Sequence, residues 1–158
     1  MTDSTLAATP AAAAAPVAPA TLAQLMQRLP GVVRGARWFW WIAALSAVNV
    51  AIALSQGQTR FVAGLAFTEI AHGLFASNIA IALAIDAFFI GGFGFLGLKA
   101  QQGAAWAFVA GIVVYVCDAL VFVKVADWMS VAFHAFALFY IGKAFIDLRA
   151  AKKATGLR

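Results

Sequence analysis

Asp86, Asp118, His134 and Asn49 each interrupt a different long apolar run of this chain. Two carboxylic acids and an imidazole can hold or pass a proton, and an amide can donate and accept beside them. The set could therefore form a proton or ion relay, or a small polar pocket. The plainer use of the same residues is a hydrogen-bonded cluster that fixes helix rotation and register. Such a bond contributes about 0.6 kcal/mol inside a membrane. We take the structural use as the leading reading and keep the relay beside it. Two carboxylates at close range repel, so one is expected to be neutral or paired with His134.

The elements that must position these residues are membrane spans. The chain has 158 residues, of which 65% are hydrophobic and only 11% charged. A soluble domain is nearer a quarter charged, and apolar stretches of about 20 residues mark transmembrane helices. The fold class is all-α: a polytopic membrane protein with four transmembrane helices and a short interfacial or re-entrant helix before the second span. The first span is expected from Trp38 to Ser55. The next apolar stretch, Phe61–Leu98, would be about 57 Å long as one helix, nearly twice the hydrocarbon thickness. It must break, and Ser77-Asn78 offer helix N-caps at a suitable place. The piece from Phe61 to Ala76, carrying Glu69 and His72, then becomes the interfacial or re-entrant helix. Span two follows from Ser77 to Leu98, span three from Ala104 to Val123, and span four from Trp128 to Leu148.

Residues 1–20, rich in Ala and Pro, are expected to be a disordered cytoplasmic tail. Residues 21–30 form a short amphipathic segment, with Leu22, Leu25, Met26 and Leu29 on one face and Pro30-Gly31 ending it. Residues 31–150 make the four-helix bundle, and residues 151–158 a basic cytoplasmic tail.

Eight basic residues (Arg28, Arg34, Arg37, Lys99, Arg149, Lys152, Lys153 and Arg158) fall on one side, against two, Arg60 and Lys124, on the other. This bias places both termini in the cytoplasm. Trp38, Trp40, Trp41 and Trp106 form an inner aromatic belt, with Trp128 at the outer boundary. The net charge of +5 is thus a topology signal, and no nucleic-acid partner is expected. On this topology Asp118, His134 and Asn49 lie roughly 10 Å below the outer ends of their spans, and Asp86 about 13 Å below. Asp118 and His134 should face the bundle interior within reach of one another, with Asp86 pointing into the same space.

Span three also carries a small-residue stripe, Gly103, Ala107 and Gly111, which continues through Tyr115 to Asp118. Small residues at this spacing let helices pack closely, and they turn Asp118 inward. Gly91, Gly92, Gly94 and Gly97 lie in an apolar span with no following Lys-Ser/Thr, so they are read as packing or bending positions. His72 and His134 could ligate a haem only if both rings faced one cavity. Glu69 is read as a carboxylate reaching the interface, and Lys143 with Asp147 as an ion pair on one helix face. Cys117 is alone, which rules out an intramolecular disulfide or a CxxC pair, and is read as a small apolar residue. No familiar catalytic or cofactor-binding motif stands in the chain, so no cofactor is expected, and the balance leans against an enzyme while leaving an unfamiliar intramembrane one open.

The runs WFWWIAALSAVNVAIAL, YVCDAL and DWMSVAFHAFALFYIG resemble those of a loose group of small bacterial four-helix inner-membrane proteins. The similarity covers about two thirds of the chain. It implies a multi-pass protein of a bacterial inner membrane and no particular activity. The leading functional expectation is a non-enzymatic accessory, assembly or stress-related role acting through helix packing in the lipid bilayer, with a second copy or a membrane-protein partner. The alternative is a small transporter or proton-coupled carrier using the Asp/His layer. A haem- or quinone-linked redox protein is a third class.

Overall fold

The structure, a computed structural model, describes residues 21–55 and 64–157. The readings made for the tail 1–20, for Arg60, for the start of the 61–76 piece and for Arg158 lie outside the described residues. Every regular element among the described residues is a helix: α1 (Leu22–Gln27), α2 (Pro30–Leu54), α3 (Ala66–Leu74), α4 (Ile79–Gln101), α5 (Ala105–Lys124) and α6 (Trp128–Thr155). Four of them, α2, α4, α5 and α6, are long and apolar enough to cross a membrane. The chain is an all-α multi-pass membrane protein.

The four spans form a ring in which α2 packs on α4 and α6, and α5 closes the ring against both. Neighbours run antiparallel. Trp40, early in α2, lies on Gly97, late in α4, and Gly35 of α2 lies on Ala144, late in α6. The start of α2, the end of α4, the start of α5 and the end of α6 therefore share one end of the bundle. Trp41, Phe88, Leu120, Phe139 and Ile146 are each more than half exposed on the outer surface, where lipid would cover them. Inside, Phe39 is fully buried, and its ring meets Phe93 and Phe108 at centroid distances of 6.1 and 6.0 Å.

Two helix boundaries differ from expectation. Span one begins at Pro30 rather than Trp38, because Pro30 occupies the first position of α2. There its missing N–H costs nothing and its fixed φ suits the helix, so the Pro-Gly pair opens the span as well as ending the preceding segment. At the other end α6 continues to Thr155, so most of the expected basic tail is helical. Nothing in the run to Thr155 breaks a helix, until Gly156 ends it with a left-handed φ of 69°.

The short helices are both tied to the bundle. Thr21 and Gln24 form a capping box that starts α1, and Leu25 and Met26 are buried. α1 thus packs on the bundle through these two side chains. Gly103, expected in the span-three stripe, lies instead in the turn before α5, with φ +82°. A Cβ there would meet Leu22 Cδ1 and Met26 Sδ at 2.9 Å, so this glycine serves the turn and its contact with α1. Between α3 and α4 the chain breaks at residues 75–78, where the excessive length of one straight helix requires it. Asn78 is the residue preceding α4, but its side chain makes no capping bond.

Candidate functional site

The polar residues gather at the end of the bundle opposite the basic one, where α2 and α5 finish and α4 and α6 begin. Helical periodicity on α5 brings Ala107, Gly111, Tyr115 and Asp118 to one buried face. Asp118 is wholly buried, and its carboxylate meets the N-terminus of α3. Oδ2 accepts from the Ala66 N–H at 3.0 Å, and Oδ1 accepts from the Phe67 N–H at 3.0 Å. The residue before α3 is Leu65, which has no side chain able to cap a helix. Asp118 supplies the cap from another helix.

The neighbouring backbone is satisfied in the same way. Ser46 of α2 donates to the Ile42 carbonyl at 2.8 Å and accepts from the Leu65 N–H at 3.0 Å. Thr68 donates to the Leu65 carbonyl at 2.7 Å. Backbone inside a membrane must find its partners in protein, and the bonds from the Leu65, Ala66 and Phe67 N–H groups and to the Leu65 carbonyl provide them for the entry to α3.

His134 of α6 is also fully buried, stacked on Tyr115 at 4.2 Å between ring centres. Its Nδ1 lies 2.7 Å from the Ser130 carbonyl, and its Nε2 lies 2.9 Å from Asp118 Oδ2. A carbonyl oxygen only accepts, so Nδ1 carries a hydrogen. The contact between Nε2 and Oδ2 then holds one proton, on the acid or on the ring, and the pair is neutral overall in both forms. Both ring nitrogens are engaged, which leaves His134 no lone pair for a haem iron in this arrangement. Asp118 and His134 thus meet inside the bundle.

Asp86 makes no hydrogen bond to either of them. It is buried, but its Oδ2 lies 2.7 Å from His72 Nε2, on α3. Each of these two aspartates has its own histidine, so the buried acids form two His–Asp pairs. The reason is α3. It packs against α4 and α5 and carries His72 to Asp86, whereas the sequence left the piece bearing His72 open as interfacial or re-entrant. The two pairs differ in access: the His72 side chain is 20% exposed, and neither member of the Asp118–His134 pair is exposed at all. Asp86 Oδ1 and the Tyr115 hydroxyl are buried and make no hydrogen bond to the described residues. Asn49 is buried one turn from Ser46 on α2.

Ser46 and His72 are the residues that sequence reasoning did not place in this cluster. Ser46 and Asn49, three apart in an apolar run, are a readable sign of one polar face. The backbone N–H groups of Ala66 and Phe67 leave no sign at all, since every residue carries one.

The other singled-out residues have ordinary places. Ala107 and Gly111 pack inward, and a Cβ on Gly111 would overlap the Phe39 ring. A Cβ at Gly97 would meet the Trp40 ring at 2.9 Å, while Gly91 and Gly92 have nothing within 4 Å. All of the glycines of this run lie within α4, so they form no phosphate loop. Lys143 and Asp147 pair at 2.9 Å on an exposed face, and Cys117 is exposed on α5. No group of three or more metal-ligating side chains occurs among the described residues. In comparisons with known proteins, no family model, no curated protein and no solved structure matches the chain.

Proposed function

We propose that this is a non-enzymatic accessory or assembly protein of a bacterial inner membrane, acting through its helix-packing surfaces on a second copy or a membrane-protein partner. In this reading Asp118, His134 and Ser46 fasten α3 into the bundle. The observation that carries it is the engagement of Asp118, whose two oxygens hold two backbone N–H groups and His134. A carboxylate so occupied has a structural task and is poorly placed to release a proton to a passing substrate.

Orientation belongs to the same proposal. With the two ends of the bundle core on one side, the basic residues of that side favour cytoplasmic termini. A fluorescent protein fused after Arg158 should fold and emit, and an alkaline phosphatase fused there should be inactive. Active phosphatase would reverse the orientation.

The second reading, a proton-coupled carrier, is favoured by Asp86, which has one unpartnered oxygen and a partly exposed histidine. Reconstitution decides between them. Vesicles containing the full chain and a pH-sensitive dye, under an imposed pH gradient, are expected to lose the gradient no faster than empty vesicles. A flux that the wild type supports and Asp86→Asn abolishes would overturn the accessory reading in favour of the carrier.

A further inference from the structure

At the basic end, the seam between α2 and α6 opens into a groove of about 450 Å³ lined by Arg34, Gly35, Trp38, Tyr140, Lys143 and Asp147, among others. Its floor is backbone. Gly35 has no side chain, and any Cβ there would collide with Ala144, so the two helices touch directly below the groove. One wall is aromatic, with Trp38 stacked on Tyr140 at 5.7 Å and 19°. The rim is charged. Lys143 donates to Asp147 at 2.9 Å and keeps two of its three donor hydrogens. Arg34 is exposed and has no hydrogen-bond or ion-pair partner among the described residues, so the groove carries one uncompensated positive charge.

The depth of the groove selects its occupant. Lys143 lies about 22 Å along α6 from Trp128, and Arg34 about 30 Å along α2 from Leu54. With a hydrocarbon core about 30 Å thick, Arg34 stands at the level of lipid glycerol and phosphate, where Trp and Tyr rings also settle, and Lys143, about 8 Å deeper, extends its long stem towards that level. Towards the bilayer centre the same wall continues through Phe136 and Phe133, whose rings lie 5.5 and 6.1 Å from Trp38. A free anion would use the rim and waste that apolar flank. A lipid would use both.

We propose that this groove holds the phosphate headgroup of an anionic membrane lipid, with its first acyl carbons against Trp38 and Phe136. The Arg34 guanidinium has the planar fork that fits two phosphate oxygens, and Lys143 adds a point charge. Asp147 opposes the anion but holds Lys143 at the rim.

The test uses the purified full chain in a neutral detergent, titrated with dioleoyl phosphatidylglycerol, dioleoyl phosphatidylcholine or inorganic phosphate. Bound lipid is counted by native mass spectrometry. Phosphatidylglycerol should be retained in preference to phosphatidylcholine. At about 1 kcal/mol per basic residue at a membrane surface, Arg34→Gln and Lys143→Gln should each weaken it roughly fivefold, and the double variant roughly thirtyfold. Lys152→Gln/Lys153→Gln, at the same end but outside the groove, should leave it within about twofold. Circular dichroism confirms that each variant folds, and because the substituted residues are exposed they should. The proposal is overturned if phosphatidylcholine binds as well, or if the Lys152/Lys153 variant loses as much as the groove variant. It is also overturned if inorganic phosphate at equal concentration displaces the lipid, which would make the site one for free anions.

Discussion

Asp118→Ala should destabilise the bundle by about 3–5 kcal/mol, the range for breaking a buried pair by removing one partner. The substitution strands several groups at once. The Ala66 and Phe67 N–H groups lose their acceptors, and His134 Nε2 loses its partner. Water does not reach this layer freely, so each stranded group costs about 1–3 kcal/mol before relaxation. Asp118→Asn should be milder, near 1–2 kcal/mol. Its carbonyl can still accept from the Phe67 N–H and its amide can donate to Nε2, but that amide then faces the Ala66 N–H, donor against donor. Unfolding by SDS titration in mixed micelles gives the order, and hydrogen exchange at Ala66 and Phe67 gives the place. Those two amides should exchange faster than the middle of α5 in both variants. If Asp118→Ala unfolds within about 0.5 kcal/mol of the wild type, the aspartate does not fasten α3.

The contrast between Asp118 and Asp86 marks what can be read in this chain without its structure. Asp118 was readable because a stripe at helical spacing, Ala107 to Gly111 to Tyr115, shares its face, and because the short turn after Lys124 sets α6 antiparallel beside α5. Matching depths then bring His134 opposite. The fold class was readable for a cruder reason: apolar stretches of this length have few alternatives to spanning a membrane. Asp86 was different. Its partner rides on α3, and whether α3 lies on the membrane or enters it depends on who satisfies Leu65, Ala66 and Phe67. Those partners are Ser46 and Asp118, each distant in sequence and each bonded to anonymous backbone. Pro30 was ambiguous for a local reason, since a proline that ends one helix is equally fit to begin the next.

The two pairs also give the functional alternatives different weights. A group in a proton path needs a place for its proton to go. Both oxygens of Asp118 are bonded to the protein, and the proton it shares with His134 has no exposed atom beside it. Asp86 has an open oxygen and a histidine that reaches the surface. Any proton traffic in this protein should therefore depend on Asp86 and His72. Asp118 would affect it only by releasing α3, which carries His72.

A single methyl group at Gly111 should disturb the bundle nearly as much as the loss of a polar contact. Gly111→Ala would drive its Cβ into the Phe39 ring edge. Phe39 cannot swing aside, because it is fully buried between Phe93 and Phe108. α5 must then move away from α2, and overpacking of this kind costs about 1–3 kcal/mol. We expect the upper part of that range, because Asp118 lies on the same helix about 10 Å further along. A helix displaced at Gly111 carries the carboxylate away from the start of α3, so the steric and polar costs add. Phe39→Leu should partly rescue Gly111→Ala, with a coupling of about 1–2 kcal/mol in the double-mutant cycle. Gly142→Ala is the control. No atom lies within 4 Å of a Cβ at that position, which is also mid-helix, so the substitution should be neutral or stabilise by up to about 1 kcal/mol. Equal effects at Gly111 and Gly142 would mean that α2 and α5 do not approach closely here. The buried stripe that aims Asp118 would then need another explanation.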